Sequence, residues 1–570
     1  MTPYAQPSEG CFSSSRANGV AGASLIALPF LCPLVAGPSV NVWQLLVSWA
    51  CLAGLLVVLP AAAPRWSVRK WLAVGAAALV LSVVGEASAS SVLPALVVLS
   101  GMAAFACVGA GISHGGLRLP KALAVGLLSA GLVSAVLGLL QYYGLAEPLV
   151  PLTTSPALGQ AYGNLRQRNQ FATLISMALV AALWLHATYV SPRMRRMLVL
   201  AALLLIVAAA ASTSRTGLLQ LLSIVGVASM IAWRERRGVA STRSNLPPPL
   251  ALLATIPLYF AIAWMLPRLA GSGVEGMLQR LQTGAPDDHS RLVLWRNVFT
   301  LIAQYPWAGW GWGELSFAHF TTAYEGARFT EILDNAHNLP LHLAVELGIP
   351  TAVLICGGFI WMVMAARPWR ERDPTRLMAW GMLGAIVLHS LLEYPLWYGP
   401  FQLVFGLCLG ILWPAAVLDR ALPQGTRSKR LGARVLPSLA AAALLVGLGY
   451  ASWDYIRISQ IYLPRDERLA AYEDDTLAKL KGSWLFARQV DFAELTLTTV
   501  TPANAARMHE LAERTLHFSP EPRVITKWIE SAELLGRDDE ARAQAERFRI
   551  AFPTEFAQWL DNKQVDAPAP

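Results

Sequence analysis

Of 570 residues, 55% are hydrophobic and only 14% charged, with a mean hydropathy of +0.46, too apolar for an ordinary water-soluble globule. The formal charge of +9 could suggest a nucleic-acid partner, but the Lys and Arg fall in short loops between apolar runs rather than in one patch, so no nucleic acid is expected. Six cysteines, none in CxxC spacing and all but Cys11 in or near apolar runs, point to neither a zinc site nor a disulfide framework.

A bilayer core needs about 20 apolar residues per helix, and runs of that length recur along the chain. In chain order they predict thirteen spans near 20–36, 42–63, 71–84, 91–112, 122–143, 170–190, 197–211, 217–233, 250–266, 339–366, 377–394, 399–418 and 435–453. The tenth is long enough to hold a break at Gly348-Ile349-Pro350. No small-residue cleavage site follows the first run, which therefore reads as a retained span. The expected fold is all-α: a polytopic membrane protein of about 13 transmembrane helices with one large outer loop and a helical tail. Four parts follow: N-terminal helices over 1–150, a core over 151–418 that includes the polar loop 267–336, a loop and last helix over 419–454, and the tail 455–570.

The cations set the orientation. Alternate loops holding Arg65, Arg69 and Lys70, Arg118 and Lys121, Arg193–Arg196, Arg234–Arg243, Arg367–Arg376 and Arg420–Arg434 carry 21 Lys and Arg, whereas the opposite short loops carry Arg166, Arg168 and Arg215 alone. The positive-inside rule then places the N-terminus in the cytoplasm, and the large loop and the C-terminus outside. Residues 455–570 are charged, with Ala-rich stretches such as 504–512 and prolines between helical runs, a pattern of stacked helix pairs with at most two imperfect tetratricopeptide-like copies.

Chemistry is expected on the cation-poor side. Asp334-Asn335-Ala336-His337-Asn338-Leu339-Pro340 closes the polar loop where the chain re-enters an apolar run. Asn338 can cap the next helix, with Pro340 in its first turn. The positive end of that helix dipole favours a neutral His337 imidazole, which can act as a general base. Tyr162–Ala172 gathers Asn164, Arg166, Gln167, Arg168 and Asn169, amides and guanidiniums suited to sugar or phosphate, with Gly163 allowing close backbone approach. Arg215 is the one charge in Ser212-Thr213-Ser214-Arg215-Thr216-Gly217, a turn between two spans. The Gly/Trp-rich stretch 305–313 can stack on sugar rings or anchor an interface. Asp287-Asp288 lacks a third acid, His289, His319 and His342 have no ligand spacing, and no phosphate loop, nucleophile elbow or HExxH occurs, so neither metal nor cofactor is expected.

Taken together, Gly163-Asn164-Leu165-Arg166-Gln167-Arg168-Asn169-Gln170, Ser212 to Arg215, Arg291 with Trp295, Ala336-His337-Asn338-Leu339-Pro340 and His389-Ser390-Leu391-Leu392-Glu393-Tyr394-Pro395-Leu396-Trp397 resemble the PglL-type bacterial protein O-oligosaccharyltransferases, relatives of O-antigen ligases and O-antigen polymerases. Arg168 departs from that branch, which is expected to carry proline there. The resemblance implies an inner-membrane, metal-independent, inverting glycosyltransferase. Such an enzyme moves a preassembled oligosaccharide from undecaprenyl diphosphate to a Ser or Thr hydroxyl of a periplasmic, pilin-like protein acceptor. It implies His337 as base, Arg215 and Arg291 on the diphosphate, Asn164, Arg166, Gln167, Asn169 and Asn338 as substrate contacts, and Glu393 and Tyr394 orienting the site. The alternatives are an O-antigen ligase acting on lipid A-core, a polymerase, or a non-catalytic assembly protein. A transporter is disfavoured, because no Lys or Arg falls inside a predicted span and no internal repeat is evident.

Overall fold

The computed structural model describes residues 9–34, 37–58, 101–109, 118–189, 191–237, 245–271, 273–283, 291–412 and 428–565, and all their regular structure is helical. The predicted span 71–84, the pair Asp287-Asp288 and His289 lie outside the described residues. Among the described residues eight helices are long and apolar enough to cross a membrane: Asn41–Val58, Pro120–Tyr142, Arg168–Thr188, Pro192–Ala211, Arg215–Arg237, Pro249–Ala270, Leu339–Arg370 and Ser438–Tyr462. Each coincides with a predicted run. Ala17–Leu31 and Gly399–Leu412 are apolar but shorter. The chain is a multi-pass membrane protein.

Arg168–Thr188 is the hub, buried over 78% of its apolar stretch by Arg118–Tyr142, Pro192–Ala211, Arg215–Arg237 and Pro374–Ser390. A helix that is apolar all round belongs in such a position. The ends of the bundle differ in chemistry. At one end, Arg195 donates to the Tyr189 carbonyl and to Asn245 Oδ1, and Arg236 to the Leu246 carbonyl. At the other end the turns 28–34, 144–167, 212–215 and 391–398, which hold only Arg166 and Arg215 as cations, converge with the long loop. We call this the site face.

The helix Leu339–Ala366 breaks at Gly348, whose backbone is left-handed (φ 83°, ψ 159°). The break frees backbone groups that need new partners. Residues 305–313 supply them: Trp310 N donates to the Val345 carbonyl (2.9 Å), Gly311 N to the Glu346 carbonyl (3.0 Å), and Ile349 N to the Pro306 carbonyl (2.8 Å). Only glycine allows this approach. A Cβ on Gly348 would lie 2.1 Å from the Trp307 carbonyl oxygen, and one on Gly309 2.4 Å from the Glu346 carbonyl carbon. Most of the Gly/Trp stretch is thus a staple on a broken helix. Trp310 donates to the Leu301 carbonyl and Trp312 stacks on Trp397, leaving Trp307, 80% exposed, with its ring free for an outside surface. Residues 342–348 are buried against Arg291–Gln304, and the outward apolar face begins at Ile349. The lipid-facing part of the tenth span accordingly starts about ten residues later than its hydropathy suggests.

The tail is rooted on the site face, where the Tyr455 hydroxyl accepts from Ser39 N (2.9 Å) and donates to the Ser39 carbonyl. Its helices Ala505–Phe518, Pro522–Leu534, Asp538–Ala551 and Pro553–Val565 pack each on the next around Leu511, Val524, Ile525 and Phe548. Phe320 of the long loop inserts into that same core, Phe317 stacks on His517 (3.8 Å between centroids), and His517 Nδ1 meets Glu314 Oε2 at 2.8 Å.

Candidate active site at the ends of four helices

Glu393, in the turn after the helix Pro374–Ser390, is the centre of the site. Its carboxylate is 7% exposed and accepts from three other segments. Oε2 faces His337 Nδ1 at 2.6 Å, and Oε1 receives Asn169 Nδ2 at 3.0 Å and the Arg291 guanidinium. Burial works to raise this carboxyl, but the His337 hydrogen bond and the charges of His337, Arg291 and His389 outweigh it and hold Glu393 below the usual carboxylate range. An ionised carboxylate only accepts, so His337 presents an Nδ1 proton to Glu393, and in the neutral ring the Nε2 lone pair is left for another group.

Local geometry explains how His337 reaches Glu393. Asn338 caps the helix from Leu339, its Oδ1 accepting from Leu341 N (3.2 Å), while its Nδ2 donates to the Leu391 carbonyl (3.0 Å) two residues before Glu393. Asn335 Oδ1 accepts from His337 N (2.9 Å) and steadies its left-handed backbone (φ 49°). Arg291 and Trp295, four apart on one helix face, work as a pair. Trp295 Nε1 donates to the Ala336 carbonyl (3.1 Å) and so pins the His337 turn to the helix that carries Arg291. The Tyr394 ring stands edge-on to His337, 5.0 Å between centroids.

Beside this centre lies a cationic patch. The Arg215 guanidinium donates to the Arg280 carbonyl, and Arg280 Nη1 returns to the Thr213 carbonyl and hydroxyl (3.3 and 3.2 Å). Burial first, then the nearby Arg168 and Arg215 charges, lower the Arg280 pKa, with Glu275 at 3.8 Å opposing weakly. Crowded guanidiniums favour an anion with several oxygens, such as a diphosphate. Arg280 was not foreseen. In sequence it is one of several cations in a long polar loop, and no local signal separates it from Arg268 or Arg296.

The turn 163–167 takes a different part from the one expected of it. Asn164 is 3% exposed and donates to the Leu31 (2.9 Å) and Leu152 (3.0 Å) carbonyls. Arg166 donates to the Pro33 (2.9 Å) and Leu34 (3.1 Å) carbonyls, and Gln167 caps its own helix by accepting from Gln170 N (2.7 Å). Gly163, with positive φ, is clamped by Gln141 through its N–H (2.8 Å) and carbonyl (3.1 Å). These side chains build the face on which the site stands, and only Asn169 reaches Glu393. Arg215, Arg291, Asn169, His337, Asn338, Glu393 and Tyr394 come together; Asn164, Arg166 and Gln167 spend their hydrogen bonds on backbone. No cluster of three or more His, Cys, Asp or Glu suited to a metal occurs among the described residues.

Three segments of the chain match families of known proteins. Residues 200–356 match the O-Antigen ligase family, 161–186 the Protein glycosylation ligase family, and 377–565 the family described as Virulence factor membrane-bound polymerase, C-terminal. These segments make the chain similar, part by part, to O-antigen ligases, protein glycosylation ligases and membrane-bound polymerases. The O-Antigen ligase match takes in Arg215, Arg291 and His337, and the polymerase match takes in Glu393. The chain is also similar to the General O-oligosaccharyltransferase of Acinetobacter baylyi, 25% identical over 307 residues, which are 50% of this chain. That stretch is 49% of the relative, so the chain spans about half the length of the curated relative it matches.

Proposed function

We propose that the protein is a glycosyltransferase that moves a preassembled oligosaccharide from an undecaprenyl-diphosphate carrier to Ser or Thr hydroxyls of acceptor proteins, pilin-like ones among them, at the periplasmic face of the inner membrane. The observation that carries this reading is a His–Glu dyad with an open Nε2 next to a patch of guanidiniums. The alternation of cations supports a cytoplasmic N-terminus and a periplasmic site face, so both the tail, read as tetratricopeptide-like, and the long loop are periplasmic.

In this reading the acceptor oxygen attacks the anomeric carbon from the side opposite the diphosphate. Its proton passes to His337 Nε2 as the new C–O bond forms, and Glu393 stabilises the resulting imidazolium. The anomeric carbon–oxygen bond breaks with its electron pair going to the diphosphate, whose growing charge is met by Arg215, Arg280 and Arg291. One displacement inverts the anomeric centre, and none of these steps calls on a metal ion.

The test is purified protein with lipid-linked glycan and either a Ser/Thr-bearing protein segment or lipid A-core. Glycan on the protein segment, lost in His337→Ala, is the expected result. Transfer to lipid A-core alone would make the enzyme an O-antigen ligase, and glycan extended on its carrier would make it a polymerase.

A further inference from the structure

Behind Glu393 runs a line of hydrogen bonds whose directions are all determined. Gly217 N–H donates to Ser214 Oγ at 2.9 Å. A hydroxyl has one proton, and here it goes to Asn169 Oδ1 at 2.6 Å. That bond settles which end of the Asn169 amide faces which way, so Nδ2 points at Glu393 Oε1, 3.0 Å away. With the amide reversed, Oδ1 would face a carboxylate oxygen, acceptor against acceptor. Ser214 is 2% exposed and Glu393 6%, so both ends of the line are buried, with the partly buried Asn169 between them. The spacing of two helices makes it possible: a Cβ on Gly217 would lie 2.5 Å from Ala172 Cβ, so glycine there lets Arg215–Arg237 approach Arg168–Thr188 closely enough for Ser214 to meet Asn169.

We infer that Ser214 and Asn169 are positioning residues, which hold the Glu393 carboxylate in the plane and orientation that present His337 Nε2 to the acceptor. The inference rests on the proposed transfer reaction for its catalytic consequence, but the geometry it describes exists without substrate. Arg291 and His389 face Glu393 as well, and Asp334 lies near His337, so the relay is one of several influences on the dyad. Its distinctive feature is that it links the Arg215 turn to the base: Ser214 precedes Arg215, so seating of the diphosphate and alignment of His337 depend on the same turn.

Ser214→Asp separates this role from plain capping. Aspartate caps a helix as well as serine does, so the Gly217 N–H stays satisfied, but it has no proton for Asn169 Oδ1 and brings in a negative charge. The expected result is a kcat loss of roughly tenfold to a hundredfold, the size of one hydrogen bond to a charged group. The acid limb of the pH–rate profile should move to higher pH, because the added charge favours the imidazolium, which is no base. Asn169→Asp, of the same shape, should shift the limb the same way, and Ser214→Thr should restore most of kcat.

A second readout needs no turnover: the pH dependence of diethylpyrocarbonate modification of His337, followed by peptide mass spectrometry, should move with the acid limb in both aspartate variants. Wild-type kcat, acid limb and modification profile in folded Ser214→Asp or Asn169→Asp protein would overturn the relay. If the modification profile shifts while wild-type protein transfers no glycan, the relay stands and the proposed reaction fails.

Discussion

The turn 163–167 and the pair His337–Glu393 are equally polar and stand on the same face, yet they do opposite work. In the turn, Asn164 and Arg166 donate to carbonyls of residues 31–34 and 152, and Gln167 accepts from Gln170 N. In the pair, donors from three segments converge on one carboxylate and leave a ring nitrogen open. A polar side chain whose bonds are consumed by main chain is scaffold, and one that keeps an atom free beside a charge is chemistry. Residue type alone does not tell them apart.

The largest expected effect tests the chemical side of that contrast. His337→Ala should reduce kcat by about 10²–10⁴, the usual range for a lost general base. Glu393→Gln should approach the same loss, because an amide can offer Nδ1 the wrong partner and leave the ring in the unproductive tautomer. Full turnover in a folded Glu393→Gln protein would reduce Glu393 to scaffold as well. Next comes the cationic patch, where Arg215→Ala or Arg280→Ala should raise the donor KM by about tenfold or more, the cost of one charged hydrogen bond. Lysine should restore only part, since a fork becomes a point charge. Equal donor titrations for wild type and Arg280→Ala would remove Arg280 from the site.

The scaffold side is sharpened by Arg166→Ala. Freed carbonyls at Pro33 and Leu34 should cost about 1–3 kcal/mol of stability, seen as a lower melting temperature in detergent, while kcat of the folded fraction stays at the wild-type value. A selective loss of kcat would move Arg166 back among the substrate contacts. The smallest effect concerns the joint between tail and loop. The hydrogen bond that His517 donates to the Glu314 carboxylate holds His517 above its ordinary value of 6.5. The pair therefore contributes fully below about pH 6.5 and fades as pH rises through the higher folded value. His517 is about half exposed, so the contribution stays below about 1 kcal/mol. Protection of the 505–518 amides, after division by the intrinsic exchange rate at each pH, should be slightly lower at pH 8 than at pH 6 in wild type, and should lose that difference in His517→Gln.

Hydropathy made the eight described spans legible in advance, and capping chemistry did the same for the start of the helix at Leu339, because both depend on neighbours within a few residues. The break at Gly348 could be read from a glycine two residues before a proline. Its purpose could not: the carbonyls it frees are satisfied by Trp310 and Gly311, over thirty residues upstream. The same distance in sequence hid Arg280, which matters through its contact with Thr213.

What the sequence determined by itself is therefore the eight described spans, the short turns in which cations are scarce, and the cap that starts the helix after His337. Each is a local property, set by transfer of side chains from water to lipid or by the few groups around a helix end. Tertiary structure alone decided that Glu393 meets His337 Nδ1, that Asn169 and not Asn164 reaches the site, and that most of the Gly/Trp stretch staples a broken helix. A buried hydrogen bond needs its partner within about 3 Å and in the right direction, and only the packing of distant segments sets both.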